Sequence, residues 1–322
     1  MQTVICTLFE GHYHLGVAAF VNSLHKHGYK GDIFAGYLGE LPPWATATDL
    51  SLFDDLQLAT YKVNDDIKIH FVKLKTTYHL ANYKPDFLKW LFEGPARDVD
   101  NIFYFDPDII LDYDWAFYEE WVSFGVTVCE DVNSPLPPNH PRKMAWKKYF
   151  GQFDISLNLE REIYVNSGFI GVNKKDIGLV DTWIMIQEKI GPLIGGLSRA
   201  PFPGEANLAK EHAGDYAPFS KTDQDALNIA IGAWDGVVSF VGKEGMGLQG
   251  GATLMLHALG SPKPWRIKFL KQSFLGISPR SVDKKFWKCV DHPISLFNNN
   301  YVQRKSLVVS VGAFIGRFYT RN

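Results

Sequence analysis

Apolar residues come along this chain in two rhythms, one dense and strand-like, the other spaced for helices. Residues 3 to 9 form a β-rich run through Val4, Ile5, Cys6 and Leu8, and Glu10-Gly11-His12 breaks it. From 13 to 27 the apolar positions Leu15, Ala18, Ala19, Val21 and Leu24 return at helical spacing, Gly28 ends the helix, and 32 to 37 read as the next strand. This β-α-β opening predicts a parallel or mixed sheet covered by helices. Further on, 78 to 92 are helical around Lys84-Pro85, 102 to 105 form a short strand, 123 to 129 and 164 to 172 read as buried strands, and 181 to 190 as a helix. A helix is predicted to start at Thr222 and a last strand to cover 253 to 256. Residues 191 to 220, rich in Gly, Pro and Ala, read as a long and functional loop. With no internal repeat and no low-complexity linker, the simplest partition is one α/β domain over residues 1 to 265 and a helical, basic extension over 266 to 322.

Composition narrows the class. The 322 residues are 46% hydrophobic, enough for a large core without disulfide or metal staples. Cys6, Cys129 and Cys289 are odd in number, far apart and without a C-x-x-C pair, which argues against a disulfide framework and a zinc knuckle and for a reducing compartment. The N-terminus shows no signal-peptide pattern, and no apolar run approaches the roughly 20 residues of a bilayer span. The expected location is therefore cytoplasmic, peripheral to a membrane at most.

Charge is uneven. Residues 261 to 322 hold twelve Lys/Arg against Asp283 and Asp291, a local balance of +10 that leaves −12 on the rest of a chain of net −2. A basic, aromatic-rich tail suits the inner, anionic face of a membrane; a solvated basic face over ordinary core aromatics fits equally well. No recognition motif accompanies the charge, so nucleic acid is not an expected partner.

Candidate chemistry sits at two strand ends. Asp106-Pro107-Asp108 follows the apolar run 102 to 105, and an extended backbone through Pro107 would turn both carboxylates to one side. Ligands of open α/β sheets gather beyond such strand ends. Alone the pair is equally a turn, and the Gly and Thr/Val that follow the second Asp in aspartyl phosphatases are replaced by Ile109-Ile110. His257 ends the run 253 to 256 and opens His257-Ala258-Leu259-Gly260-Ser261-Pro262-Lys263-Pro264-Trp265. An isolated His there is more often a core residue, but Gly260 permits positive φ or close approach to a phosphate, and Lys263 offers it a positive charge. Together Asp106, Asp108 and His257 would form an oxygen-rich site for Mn²⁺ or Mg²⁺, with Lys263 beside it to neutralise a diphosphate. Thr222 and Asp225 read as a capping-box variant that leaves Asp223 and Gln224 in the first helical turn. Asn166-Ser167-Gly168 puts small polar groups before a strand.

On these residues the chain resembles the glycogenin-like family 8 of retaining glycosyltransferases, which have the GT-A fold, a Rossmann-like mixed sheet flanked by helices. The resemblance runs from Thr3 to Trp265 in family order: the opening with Tyr13, Gly16, Ser23 and Leu24, the D-x-D, Asn166-Ser167-Gly168, Asp223-Gln224-Asp225 and the H-x-x-G-x-x-K-P-W run. It implies that Thr7, Leu8 and Tyr13 line a base pocket, usually for uracil. It gives Asp106, Asp108 and His257 as metal ligands and Gly260 and Lys263 as diphosphate contacts. Lys84 matches a basic residue that touches donor phosphate or sugar, although it lies farther before the D-x-D than is usual. Asn166, Asp223 and Gln224 match positions at the transferred sugar, Gln224 nearest the reacting face.

The implied activity is metal-dependent transfer of a hexose from a UDP-sugar to a carbohydrate or glycolipid acceptor, in polysaccharide or glycolipid synthesis. Retention follows from the resemblance alone; Glu130 or Asp131 could act as the base of an inverting enzyme. A nucleotide-sugar-binding protein without turnover and a GT-A-like nucleotidyltransferase remain as alternatives.

Overall fold

The computed structural model describes residues 2–53, 55–198 and 216–319. Its first half runs β1 (Thr3–Glu10), α1 (His14–Lys26), β2 (Gly31–Leu38), β3 (Thr48–Phe53), β4 (Leu56–Lys62), β5 (Ile67–Lys73), α2 (Lys84–Glu93), β6 (Asn101–Phe105), β7 (Ile109–Leu111) and α3 (Trp115–Trp121). There follow β8 (Val126–Cys129), α4 (Pro141–Phe150), β9 (Phe169–Asn173), α5 (Gly178–Ile194), α6 (Thr222–Ala233), β10 (Val238–Val241), β11 (Met255–His257), α7 (Phe269–Phe274), α8 (Ser281–Phe286) and α9 (Asn299–Ile315). The strands form a nine-stranded mixed sheet in the order β10-β8-β9-β6-β1-β2-β5-β4-β3, and a separate pair, β11-β7. This is the expected α/β class with helices flanking a mixed sheet.

The chain clusters into two compact units that interleave in sequence. One comprises Met1–Leu8, Leu74–Phe105 and Tyr118–Lys243. In it β1 runs parallel to β6 and β8 parallel to β10, while β9 pairs antiparallel with both β6 and β8. Strands buried on both faces need not alternate, and Val4 to Phe9 are all buried. Phe103, Phe105, Tyr118, Trp121 and Phe169 form an aromatic cluster. A Cβ on Gly171 would lie 2.4 Å from both the Phe103 ring and the Thr127 hydroxyl, so only glycine fits between them.

The other unit comprises Phe9–Lys73, Asp106–Phe117 and Glu244–Asn322. Here β2 and β5 are parallel and β4 and β3 follow antiparallel. Residues 266 to 319 carry the helices α7, α8 and α9, and they share one core with the N-terminal helix: Ala19 of α1, Ile110 of β7 and Leu256 of β11 pack with Phe269, Phe286, Trp287, Val302 and Val309. Asn22, buried in α1, donates to the carbonyls of Cys289 (2.9 Å) and Ile294 (2.8 Å) and accepts from the Ile294 N–H (2.8 Å). Three backbone groups of the C-terminal segment are thus satisfied by one side chain.

Several expectations shift. The strand read over 123 to 129 begins only at Val126, after a 3-10 turn at Val122–Phe124 and Gly125 at φ 129°. The strand read over 164 to 172 begins at Phe169: before it only an isolated bridge pairs Val165 with Glu130, and the backbone N–H groups of Tyr164, Val165 and Ser167 donate to the side chains of Ser134, Asn228 and Gln224. The helix read over 181 to 190 extends through Ile194. Of the long loop expected at 191 to 220, residues 199 to 215 lie outside the described residues.

Candidate active site

Beyond β6 the chain turns at Asp106-Pro107-Asp108 rather than staying extended, with the Ile109 N–H donating to the Asp106 carbonyl at 3.1 Å. The short antiparallel pair β7–β11 then places His257 opposite Ile109, and the Ala258 N–H donates to the Asp108 carbonyl at 3.1 Å. This pairing closes a gap of some 150 residues. His257 Nε2 comes within 3.3 Å of Asp108 Oδ1 and 3.8 Å of Asp106 Oδ2. One ligand atom from each of the three lies within 4.8 Å of the others. Two carboxylates and an imidazole at this spacing could hold a metal ion.

Lys263 completes the cluster, its ammonium 2.5 Å from Asp108 Oδ2 and 2.8 Å from the Ala258 carbonyl. Burial alone would raise the Asp108 carboxyl, but His257 and Lys263 hold it well below the usual carboxylate range. Asp108 is therefore an anion at neutral pH, ready to ligate. Gly260 sits at φ 71° with nothing within 4 Å of a Cβ placed there, so backbone conformation and not space calls for glycine.

The Tyr13 turn belongs to the same unit. Lys263 lies 5.7 Å above the Tyr13 ring, and Trp265 meets that ring edge-on at 5.7 Å. The Trp265 indole N–H donates to His12 Nδ1 at 2.9 Å, which leaves the proton of a neutral His12 on Nε2. Burial, then Arg266, lowers the His12 pKa. In the sequence His12 shows only as part of the strand-breaking Glu10-Gly11-His12; no periodicity or motif distinguishes it. A Cβ on Gly16 would come 2.1 Å from the Pro107 carbonyl oxygen and 2.9 Å from Trp265, so Gly16 is what lets α1 approach the D-x-D turn.

A second cluster forms in the other unit. Lys84, 3% exposed, donates to Asp223 Oδ2 (3.1 Å) and to the Ser167 carbonyl (3.1 Å), above the Tyr104 ring. The Ser167 hydroxyl donates to Asp223 at 2.6 Å, and its N–H to Gln224 Oε1 at 3.4 Å. Asn166 donates from Nδ2 to Asp131 Oδ2 at 2.7 Å and accepts from the Gly168 N–H at 2.9 Å. Lys84, Asn166, Asp223 and Gln224 are thereby brought together, the long spacing of Lys84 from the D-x-D notwithstanding. Asp131 is buried and accepts hydrogen bonds from Asn166 and from the Asn133 N–H.

The capping box read at Thr222 is corrected: Lys221 is the N-cap, Thr222 is already helical, and its hydroxyl donates to Asn82 Oδ1 at 3.1 Å. Thr7 and Leu8 are both buried in β1, and adjacent strand residues face opposite sides, so at most one of them can face any given pocket. The Thr7 hydroxyl has no hydrogen-bond partner among the described residues.

No protein-family model matches the sequence, and no curated protein matches it. Solved structures do. The apo structure of WbbM, a bifunctional glycosyltransferase, superposes with a TM-score of 0.53 at 12% identity over 94% of this chain and 51% of that one. The apo form of the glycosyltransferase GlyE of Streptococcus pneumoniae TIGR4 gives 0.51 at 13% identity over 97% of this chain and 64% of that one. The chain thus spans about half to two thirds of these two proteins, and shares with them the fold of a GT-A glycosyltransferase.

Proposed function

We propose that this chain is a metal-dependent glycosyltransferase that moves a hexose from a nucleoside diphosphate sugar, UDP-linked, to a carbohydrate or glycolipid acceptor. The single observation that carries the reading is the meeting of His257 with Asp106 and Asp108, and of Lys263 with Asp108, in one cluster. In this reading Asp106, Asp108 and His257 hold Mn²⁺ or Mg²⁺, which when bound adds positive charge against a departing diphosphate. Lys263 neutralises the same diphosphate by direct ion pairing, and Gly260 gives it a backbone without a side chain in the way. Tyr13, with Thr7 or Leu8, takes the base. Lys84, Asn166, Asp223 and Gln224 hold the transferred sugar, Asp223 and Gln224 acting nearest the anomeric centre. Retention at that centre rests on the family resemblance, and the stereochemistry of the first product decides it. The catalytic domain is taken as residues 1 to 265, with 266 to 322 as an extension.

The decisive experiment screens nucleotide sugars for thermal stabilisation with and without Mn²⁺, followed by turnover of whichever donor binds. A UDP-sugar should raise the melting temperature only with the metal, and should then be hydrolysed or transferred. Stabilisation by no nucleotide sugar removes the proposal, and binding without turnover leaves a nucleotide-sugar-binding protein.

For location, we place the chain in the cytoplasm, on the inner face of a membrane. No helix among the described residues is long and apolar enough to cross one. The outward face of α9 carries Leu307, Val311 and Phe314, continued by Phe318, all exposed, with Arg304 and Arg317 at its ends and no acid after Asp291. An apolar stripe flanked by cations suits an anionic interface. Replacing Leu307, Phe314 and Phe318 by Gln should abolish cosedimentation with phosphatidylserine vesicles while UDP binding persists; unchanged cosedimentation would end the membrane assignment.

A further inference from the structure

Residues 164 to 167 are tied one after another to neighbours around the sugar-side cluster. The Tyr164 hydroxyl donates to Asp225 Oδ1 at 2.7 Å. The Val165 N–H donates to Asn228 Oδ1 at 2.8 Å, and its carbonyl accepts from Asn228 Nδ2 at 2.9 Å. Asn166 holds Asp131, and Ser167 holds Asp223 and Gln224. Asp225 is the buried hub of this arrangement, fully enclosed, and it also accepts from the Lys221 N–H at 2.9 Å. Facing it is Arg142 of α4, 3% exposed, with one guanidinium nitrogen 3.4 Å from Asp225 Oδ1 and another 3.3 Å from the Ser220 hydroxyl. The same guanidinium lies 5.7 Å over the Tyr164 ring.

Asp225 and Asn228 are three residues apart and so share one face of α6. Anchoring both sets the rotation of the helix about its axis, and Asp223 and Gln224 follow it rigidly. Burial pushes the Asp225 carboxyl up to about 6, against the pull of Arg142, so its charged form depends on its partners. A buried ion pair of this kind adds little net stability compared with an apolar replacement; what it can supply is one fixed register.

We propose that Arg142 and Tyr164 are positioning residues which, through Asp225, lock the first turn of α6 against residues 164 to 168 and so hold Asp223 and Gln224 in one geometry for the sugar. What Asp223 and Gln224 touch rests on the glycosyltransferase reading; the locking itself does not.

The test compares wild type with Tyr164→Phe, Arg142→Met and the Arg142→Met/Asp225→Asn pair, reading melting temperature, UDP affinity with Mn²⁺, donor kcat and KM, and the crystal structure of Tyr164→Phe. Tyr164→Phe, which removes one hydroxyl, should fold, keep UDP affinity within about twofold, and lose about tenfold or more in kcat with donor KM near wild type. Its structure should show Asp223 and Gln224 displaced from Ser167. The pair should recover melting temperature relative to Arg142→Met, since no buried charge is left alone, without recovering kcat. Wild-type kcat in Tyr164→Phe with Asp223 and Gln224 unmoved would overturn the proposal. If the wild type turns over no nucleotide sugar, the glycosyltransferase reading fails instead, and the displacement in the Tyr164→Phe structure still decides the lock.

Discussion

At the scale of single residues, the candidate ion site depends on charges that answer one another. Asp108 stays ionised because His257 and Lys263 face it, so its replacement should remove cation binding while changing little in shape. We expect Asp108→Asn to abolish the Mn²⁺-dependent rise in melting temperature given by a UDP-sugar, whereas Lys263→Met should keep direct Mn²⁺ binding and weaken UDP by about tenfold, or ~1.4 kcal/mol. Calorimetric titration of Mn²⁺ and then UDP separates the two, and equal loss in both variants would contradict the separate roles. The candidate ligand types were legible in the sequence because D-x-D, common by itself, is followed by the more specific H-x-x-G-x-x-K-P-W run, each at a strand end. His12 was not legible: its significance is a hydrogen bond from Trp265, 253 residues away. Thr222 was misread for a related reason, since its hydroxyl has a tertiary partner in Asn82 that competes with local capping.

At the scale of elements, local signals set most helices and long-range pairing set the strands. The helix read over 78 to 92 is α-helical only from Lys84, with Pro85 in its first turn, after a 3-10 turn at Leu80–Tyr83. Asp86 in the same turn is pushed up to about 6, chiefly by burial. A carboxyl raised in the folded state above its ordinary 3.8 contributes stability below pH 3.8, and that contribution is lost as pH rises through 6. Asp86→Asn should therefore gain melting temperature over wild type progressively between about pH 4 and 6, with a constant difference above; a pH-independent difference would refute the shift. β3, β4 and β5 had no clear signature. β3, Thr48–Phe53, carries exposed Leu50 and Leu52 on a sheet edge, so its pattern reflects a neighbour on one side only.

At the scale of the whole molecule, compactness does not follow chain order. Residues 266 to 322 were readable as basic and helical, but not that they complete the core begun by α1, since no local pattern encodes which distant face covers Ala19 or Ile110. Asn22 makes this dependence testable. Asn22→Ala would leave the Cys289 and Ile294 carbonyls and the Ile294 N–H buried without their partner, and should cost roughly 3 kcal/mol in urea unfolding. A loss below about 0.5 kcal/mol would show the C-terminal segment held by apolar packing alone.

The amino-acid sequence by itself determined the α/β class, the opening β-α-β unit, the helices of the C-terminal segment and the candidate ligand types, because periodicity, turn residues and motif spacing act over a few residues. Only the tertiary structure decided that His257 meets Asp106 and Asp108, that Lys84 pairs with Asp223, and that Arg142 and Tyr164 converge on Asp225. Those contacts join residues 61 to 151 positions apart, and each is fixed by strand register or helix packing. Such partners are chosen by which surfaces can be buried together, a property of the folded chain that no short window of sequence contains.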